Sequence, residues 1–229
     1  MPVTKQLLDH FRVVIMELKS HAPFTFIGAL SSLLLMIIVV VRSIPAETFK
    51  PMFTGLHSLH VILSAMVTTA LYYKYKKNIF HTLLVGIFGS IGITTLSDII
   101  FPHHGANFIM WITGAASHHH HHIHIEVIDH WYIIIPSAVV GLIIGIKLPY
   151  TKIPHAGHVL LSTWASLFYI LGHTSIGFEW LPRLPLVIVL LFIAVWIPCC
   201  ISDIVFPMLF IRKKSHESHP HKEDVKTLN

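Results

Sequence analysis

Ser97-Asp98-Ile99-Ile100-Phe101-Pro102 returns as Ser202-Asp203-Ile204-Val205-Phe206-Pro207, with five of six positions identical. A second matched pair lies upstream of each copy. His57-Ser-Leu-His60-Val-Ile-Leu-Ser64 and His155-Ala-Gly-His158-Val-Leu-Leu-Ser162 agree at five of eight positions. Self-similarity in this order reads as two copies of one unit. Each copy sets a His-x-x-His pair at the head of one apolar segment, and an aspartate four residues before a proline near the tail of the next.

The segments around these motifs are membrane-like. Apolar runs near Phe24 to Val41, His57 to Tyr73, Phe80 to Phe101, Ile133 to Ile146, Val159 to Leu171 and Leu184 to Ile211 approach or exceed the roughly 20 residues a bilayer needs. With 54% hydrophobic and 12% charged residues among 229, the chain is too apolar for an ordinary soluble domain. Six spans make three per copy, and an odd number turns the second copy upside down relative to the first, as in many secondary transporters. The expected fold is an all-α polytopic membrane protein: six transmembrane helices as two inverted three-helix repeats, with an N-terminal amphipathic helix. Residues 1–20 form that interfacial helix, 21–105 the first repeat, 106–129 an external His-rich connector, 130–211 the second repeat and 212–229 a cytoplasmic His-containing tail. Within 106–129, the apolar stretch Asn107 to Ser117 is too short to cross and is expected as an external or re-entrant helix.

At the N-terminus Val3, Leu7, Leu8, Phe11, Val14, Ile15 and Leu18 recur at helical spacing, with Lys5, Asp9, Arg12 and Lys19 on other faces. This suits a helix on the membrane surface or one packed on its own bundle. With Asp9 and Glu17 ahead of the first apolar run, no removable signal peptide is expected.

The net charge of +5 reports topology rather than an acidic partner. Lys5, Arg12, Lys19, Lys74, Lys76, Lys77, Lys147, Lys152, Arg212, Lys213 and Lys214 all fall on one side of a six-span arrangement, against Arg42, Lys50 and Arg183 on the other. The positive-inside bias predicts cytoplasmic termini in a cell or plasma membrane. No nucleic-acid motif or ATP-binding motif is present. The two cysteines, Cys199 and Cys200, are adjacent in an apolar run and form no disulfide framework.

Residues three apart share a helix face, so His57 with His60, and His155 with His158, each present two imidazoles to one point. Two imidazoles and a carboxylate, Asp98 or Asp203, suit a divalent transition metal (Zn, Ni, Co, Mn, Fe or Cu) rather than Na⁺ or Ca²⁺. Pro102 and Pro207 lack an N–H, which predicts a freed backbone carbonyl at each Asp. The inverted arrangement puts His57, His60 and Asp98 toward the outer face, joined by His103 and His104, and His155, His158 and Asp203 toward the inner one. Cys199 and Cys200 align with Thr94 and Thr95 of the first copy. They offer the inner site softer ligands, or serve as small hydrophobes. The run His118 to His122, with His124, Glu126, Asp129 and His130, reads as an external metal collector or pH-sensitive patch. The tail histidines His216, His219 and His221 read as a cytoplasmic acceptor or as part of a solvated segment.

His124-Ile-Glu-Val-Ile-Asp129-His130 resembles the H-x4-D-H pattern of nickel and cobalt permeases, and Leu171-Gly-His173-Thr-Ser is similar to their later Gly-His-Ser motif. The resemblance is confined to these two stretches, lacks the Ala- and Asp-rich surroundings of the permease motif, and assigns no family. It implies transition-metal handling.

The sequence therefore points to a membrane transporter that binds and translocates a divalent transition-metal ion, a role that is not enzymatic. The alternatives are a histidine-rich metal- or haem-dependent membrane redox enzyme, with His60 or His158 as an axial haem ligand, or a metal-binding accessory subunit of a larger membrane complex. The expected partners are the lipid bilayer and the metal ion, with self-association or a membrane-complex partner, and no nucleic acid.

Overall fold

A computed structural model describes residues 2–114, 123–148, 153–174 and 177–200. Every element among them is helical: α1 (Pro2–Arg42), α2 (Phe49–Tyr75), α3 (Ile79–Thr95), α4 (Phe101–Ile112), α5 (Glu126–Asp129), α6 (Trp131–Lys147), α7 (Ile153–His173) and α8 (Leu184–Cys200). A π turn, Leu96–Ile100, joins α3 to α4, and 3-10 turns cover Ala46–Thr48 and Phe178–Arg183. Among the described residues four helical segments are long and apolar enough to cross a membrane: His21–Arg42, Ala46–Lys74, Ile79–Ile112 and Phe178–Cys199. That criterion supports four of the six expected spans. α6 is apolar but has only 17 residues, and α7, whose 21 residues include three histidines, is not among the four. The chain is an integral membrane protein by this composition. Its surface agrees, since Leu34, Phe88 and Val189 are more than half exposed while His57, Asp98 and Ser162 are fully buried.

Two prolines, Pro51 and Pro102, lie inside helices rather than at their ends. Pro51 sits in the first turn of α2, where its missing N–H has no intrahelical partner to lose. The helix therefore opens at Phe49, eight residues before His57. α1 likewise runs unbroken through residue 20 and through Pro23. Pro102 was expected to end the third span. Instead the helix runs on as one 34-residue segment to Ile112, and the expected separate helix from Asn107 is, as far as Ile112, its last turns. The π turn makes this possible, because the Phe101 N–H donates to the Leu96 carbonyl, five residues back. In that register Pro102 deprives Ser97, not Asp98, of its backbone donor. The Ser166 hydroxyl supplies the missing bond to the Ser97 carbonyl at 3.0 Å. This corrects the expectation of a free carbonyl at Asp98.

α2 is the central helix, packed on α3, α6 and α7, while α1 packs on α7 and α8. At Gly141 and Gly145 of α6 an added Cβ would overlap the carbonyl oxygens of Ile62 and Met66, so these glycines let α6 lie directly on the α2 backbone. α2 and α7 run antiparallel: Phe49 stacks on Phe168 at 5.7 Å, Phe53 meets Tyr169 edge-on at 5.2 Å, and His60 meets His158 further along. Indole bonds fix α1 to its neighbours, Trp164 Nε1 donating to Ser31 Oγ at 2.9 Å and Trp196 Nε1 to the Leu18 carbonyl at 2.7 Å.

Candidate metal centre

The first motif pair does what its spacing predicts. His57 and His60, one turn apart on α2, both donate Nδ1–H to a single oxygen, Asp98 Oδ2, at 2.9 and 2.6 Å. The other carboxylate oxygen accepts from Ser97 Oγ at 2.7 Å and from Ser162 Oγ at 2.8 Å. Ser162 closes the second copy's His-x-x-His motif, so the two copies touch through it. Asp98 lies in the π turn, which is buried at Ser97, Asp98 and Ile99. π turns reorient side chains inside otherwise regular helices and recur at functional sites.

This arrangement fixes the chemistry of both imidazoles. With Nδ1 committed as donor to the carboxylate, each Nε2 keeps its lone pair, and both Nε2 atoms are buried with no hydrogen-bond partner. A buried polar atom of this kind is costly unless something occupies it. A carboxylate behind a histidine whose far nitrogen is free is the arrangement that orients metal-binding histidines. Asp98, expected as a ligand, orients both imidazoles in this geometry. Among the described residues two groups are near enough to hold an ion: His57, His60 and Asp98, and His60, His158 and Cys199.

That second group overturns the division of the sites between two faces. The rings of His60 and His158 lie 4.6 Å apart at 34°, so one histidine from each motif pair meets in the bundle interior. Cys199 of α8 completes the group and is 1% exposed. The alignment of Cys199 and Cys200 with Thr94 and Thr95, one turn before the repeated aspartate, is the sequence signal that offers them as softer ligands, and the structure sets Cys199 beside a histidine from each motif pair. The same ring distance bears on haem. Axial imidazoles bind haem iron end-on through a ring nitrogen about 2 Å from the metal, which sets their ring centroids roughly 6 Å apart, so His60 and His158 in this arrangement are too close to be a pair of axial ligands. The side chain of His155, Asp203, the run His118 to His122 and the tail histidines lie outside the described residues.

His103 and His104 do not join the centre. They pack on each other at 5.3 Å, and His103 Nδ1 lies 3.5 Å from the Tyr169 hydroxyl. That hydroxyl also accepts from the His124 backbone N–H at 3.4 Å. Here a second polar cluster forms. His173 stacks on Tyr169 at 4.4 Å and faces His124 at 5.2 Å. Glu126, 4% exposed, accepts from Thr54 and lies 3.1 Å from His130 Nδ1. His173 Nδ1 lies 3.0 Å from the Tyr169 carbonyl. Phe53 separates this cluster from the centre, its ring stacked on His57 at 5.3 Å and edge-on to His173 at 6.2 Å.

No family model, curated protein or solved structure matches this chain.

Proposed function

We propose that this protein is a membrane transporter that takes up a divalent transition-metal ion and passes it through the histidine centre between α2, α7 and α8. The observation carrying this reading is the pair of buried Nε2 atoms on His57 and His60, both held ready by Asp98. Neutral imidazoles turned away from a carboxylate suit zinc, nickel, cobalt or copper. An intramembrane cluster of ionisable residues is costly and belongs to a pathway or cavity in most membrane proteins. The route is supported by a series of rings: His124, His173, Phe53, His57, His60 and His158, with neighbours 4.6–6.2 Å apart or joined through Asp98. In the full arrangement α6 and α7 complete six spans of an inverted repeat, both termini are cytoplasmic, and His124 and His173 lie at the outer end.

Transport is tested by reconstituting the full chain in liposomes holding a zinc-responsive dye. Ion entry that depends on His60 and His158 is the expected result. Equal entry in wild type and in the His60→Ala/His158→Ala double variant overturns the reading.

A further inference from the structure

The geometry points to a mixed thiolate and imidazole ion site in the bundle, in which His60, His158 and Cys199 are the direct ligands, Asp98 is a positioning residue and the ion is of the zinc class. This rests on the proposal that the histidine centre takes up a transition-metal ion, and it names which atoms hold that ion.

Three observations converge. The candidate ligand atoms of His60, His158 and Cys199 all lie within 4.8 Å of one another, and all three residues are buried. Four-coordinate zinc bonds of ~2.0 Å to nitrogen and ~2.3 Å to sulfur set ligand atoms about 3.3–3.5 Å apart, so closure requires movements of roughly an ångström, within reach of side-chain rotation. Second, His60 Nε2 is buried with no nitrogen or oxygen partner, has its tautomer set by Asp98 and has the Cys199 thiol beside it. Third, Asp98 is saturated: its two oxygens accept four hydrogen bonds from His57, His60, Ser97 and Ser162. Direct coordination by Asp98 requires breaking these, whereas coordination by Cys199 breaks none of them.

Charge supports the same set. A divalent cation in a low-dielectric interior needs two negative charges close by. The Cys199 thiolate supplies one in direct contact and the Asp98 carboxylate one behind the imidazoles. As the metal–sulfur bond forms, the thiol proton leaves to solvent. Two imidazoles and one thiolate leave a fourth position open, as in zinc sites that exchange a ligand, which suits an ion that must leave again. Thiolate also selects against magnesium, calcium and manganese, which prefer oxygen.

The test is cobalt substitution in the purified full chain, in a Cys200→Ala background so that Cys199 is the sole thiol. Cobalt(II) bound through sulfur gives a charge-transfer band in the near ultraviolet beside the visible d–d bands of a tetrahedral ion. Both are expected in the background protein. Cys199→Ser should lose the charge-transfer band, keep weaker d–d absorption and bind at least tenfold more weakly. A second readout covers a folding failure in that variant: zinc should protect Cys199 in the background protein from alkylation by a small maleimide, with protection lost in His60→Ala or His158→Ala. Cobalt that binds with d–d bands but no charge transfer, and zinc that fails to protect the thiol, overturn this ligand set while leaving metal binding intact. Absence of any cobalt or zinc binding overturns both the ligand set and the metal centre.

Discussion

Asp98 separates two mechanisms for the centre, because its replacement by Asn and by Leu should give different results. An amide placed with its oxygen toward α2 still accepts from His57 and His60, which approach the carboxylate at 2.9 and 2.6 Å. Its NH2 then faces the Ser97 and Ser162 hydroxyls, which turn to accept, and Ser97 already has the Thr94 carbonyl within 3.2 Å as an alternative acceptor. Asp98→Asn therefore removes the charge and keeps both tautomers. Asp98→Leu removes the acceptor, leaving two buried Nδ1–H groups without a partner and both imidazoles free to move their proton to Nε2. Loss of an orienting group behind a metal ligand typically costs 10–100-fold in affinity. The Asn variant should lie near the lower figure and the Leu variant, which releases two imidazoles at once, near or above the upper, about 2.8 kcal/mol. The assay is zinc titration of the full chain in detergent against a chelating dye at fixed pH, with size-exclusion profiles as the check of folding. A direct ligand behaves differently, because its loss damages both variants alike. Equal losses in Asn and Leu, or a Leu variant within about twofold of wild type, would refute a positioning role for Asp98.

The remaining predictions concern packing and the π turn. Gly141→Ala places a methyl group against the Ile62 backbone, which no rotamer relieves, so the thermal midpoint in detergent should fall by an amount equivalent to about 1–3 kcal/mol. Gly92→Ala, with nothing within 4 Å of the new Cβ, should be neutral or slightly stabilising. Ser166→Ala strands the Ser97 carbonyl and should cost about 1–3 kcal/mol. In a Pro102→Ala background, where a backbone N–H becomes available, the same change should cost less than half as much, and an additive double-mutant cycle would argue against the π-register account.

What was legible in the sequence was local, and what was not was depth. The spacing of His57 and His60 predicts a shared face, and both do reach Asp98, 38 and 41 residues away. The polytopic helical class follows from apolar runs that need no tertiary information. Depth was not legible because it hangs on where helices begin, and the apolar run that opens at His57 starts eight residues after its helix does. Pro51 is accommodated in a first turn and Pro102 in a π turn with Ser166 as its substitute donor. Cys199 was legible only as one of two readings, soft ligand or small hydrophobe, because an adjacent cysteine pair among aliphatic neighbours carries no periodic signal and only its register in the repeat sets it beside the motif.

The convergence of the two motif pairs follows from where α2 starts. His60 lies eleven residues into α2, which begins at Phe49, roughly 16 Å along it at a rise of about 1.5 Å per residue. Because α2 and α7 run antiparallel, that advance carries His60 to the level of His158, and their rings lie 4.6 Å apart. Had α2 opened at His57, His60 would sit about 12 Å shallower and the pairs would face opposite surfaces as separate sites. The eight residues from Phe49 to Leu56 thus set whether there are two shallow sites or one deep centre. Phe53, within those residues, also covers the His57 side of that centre.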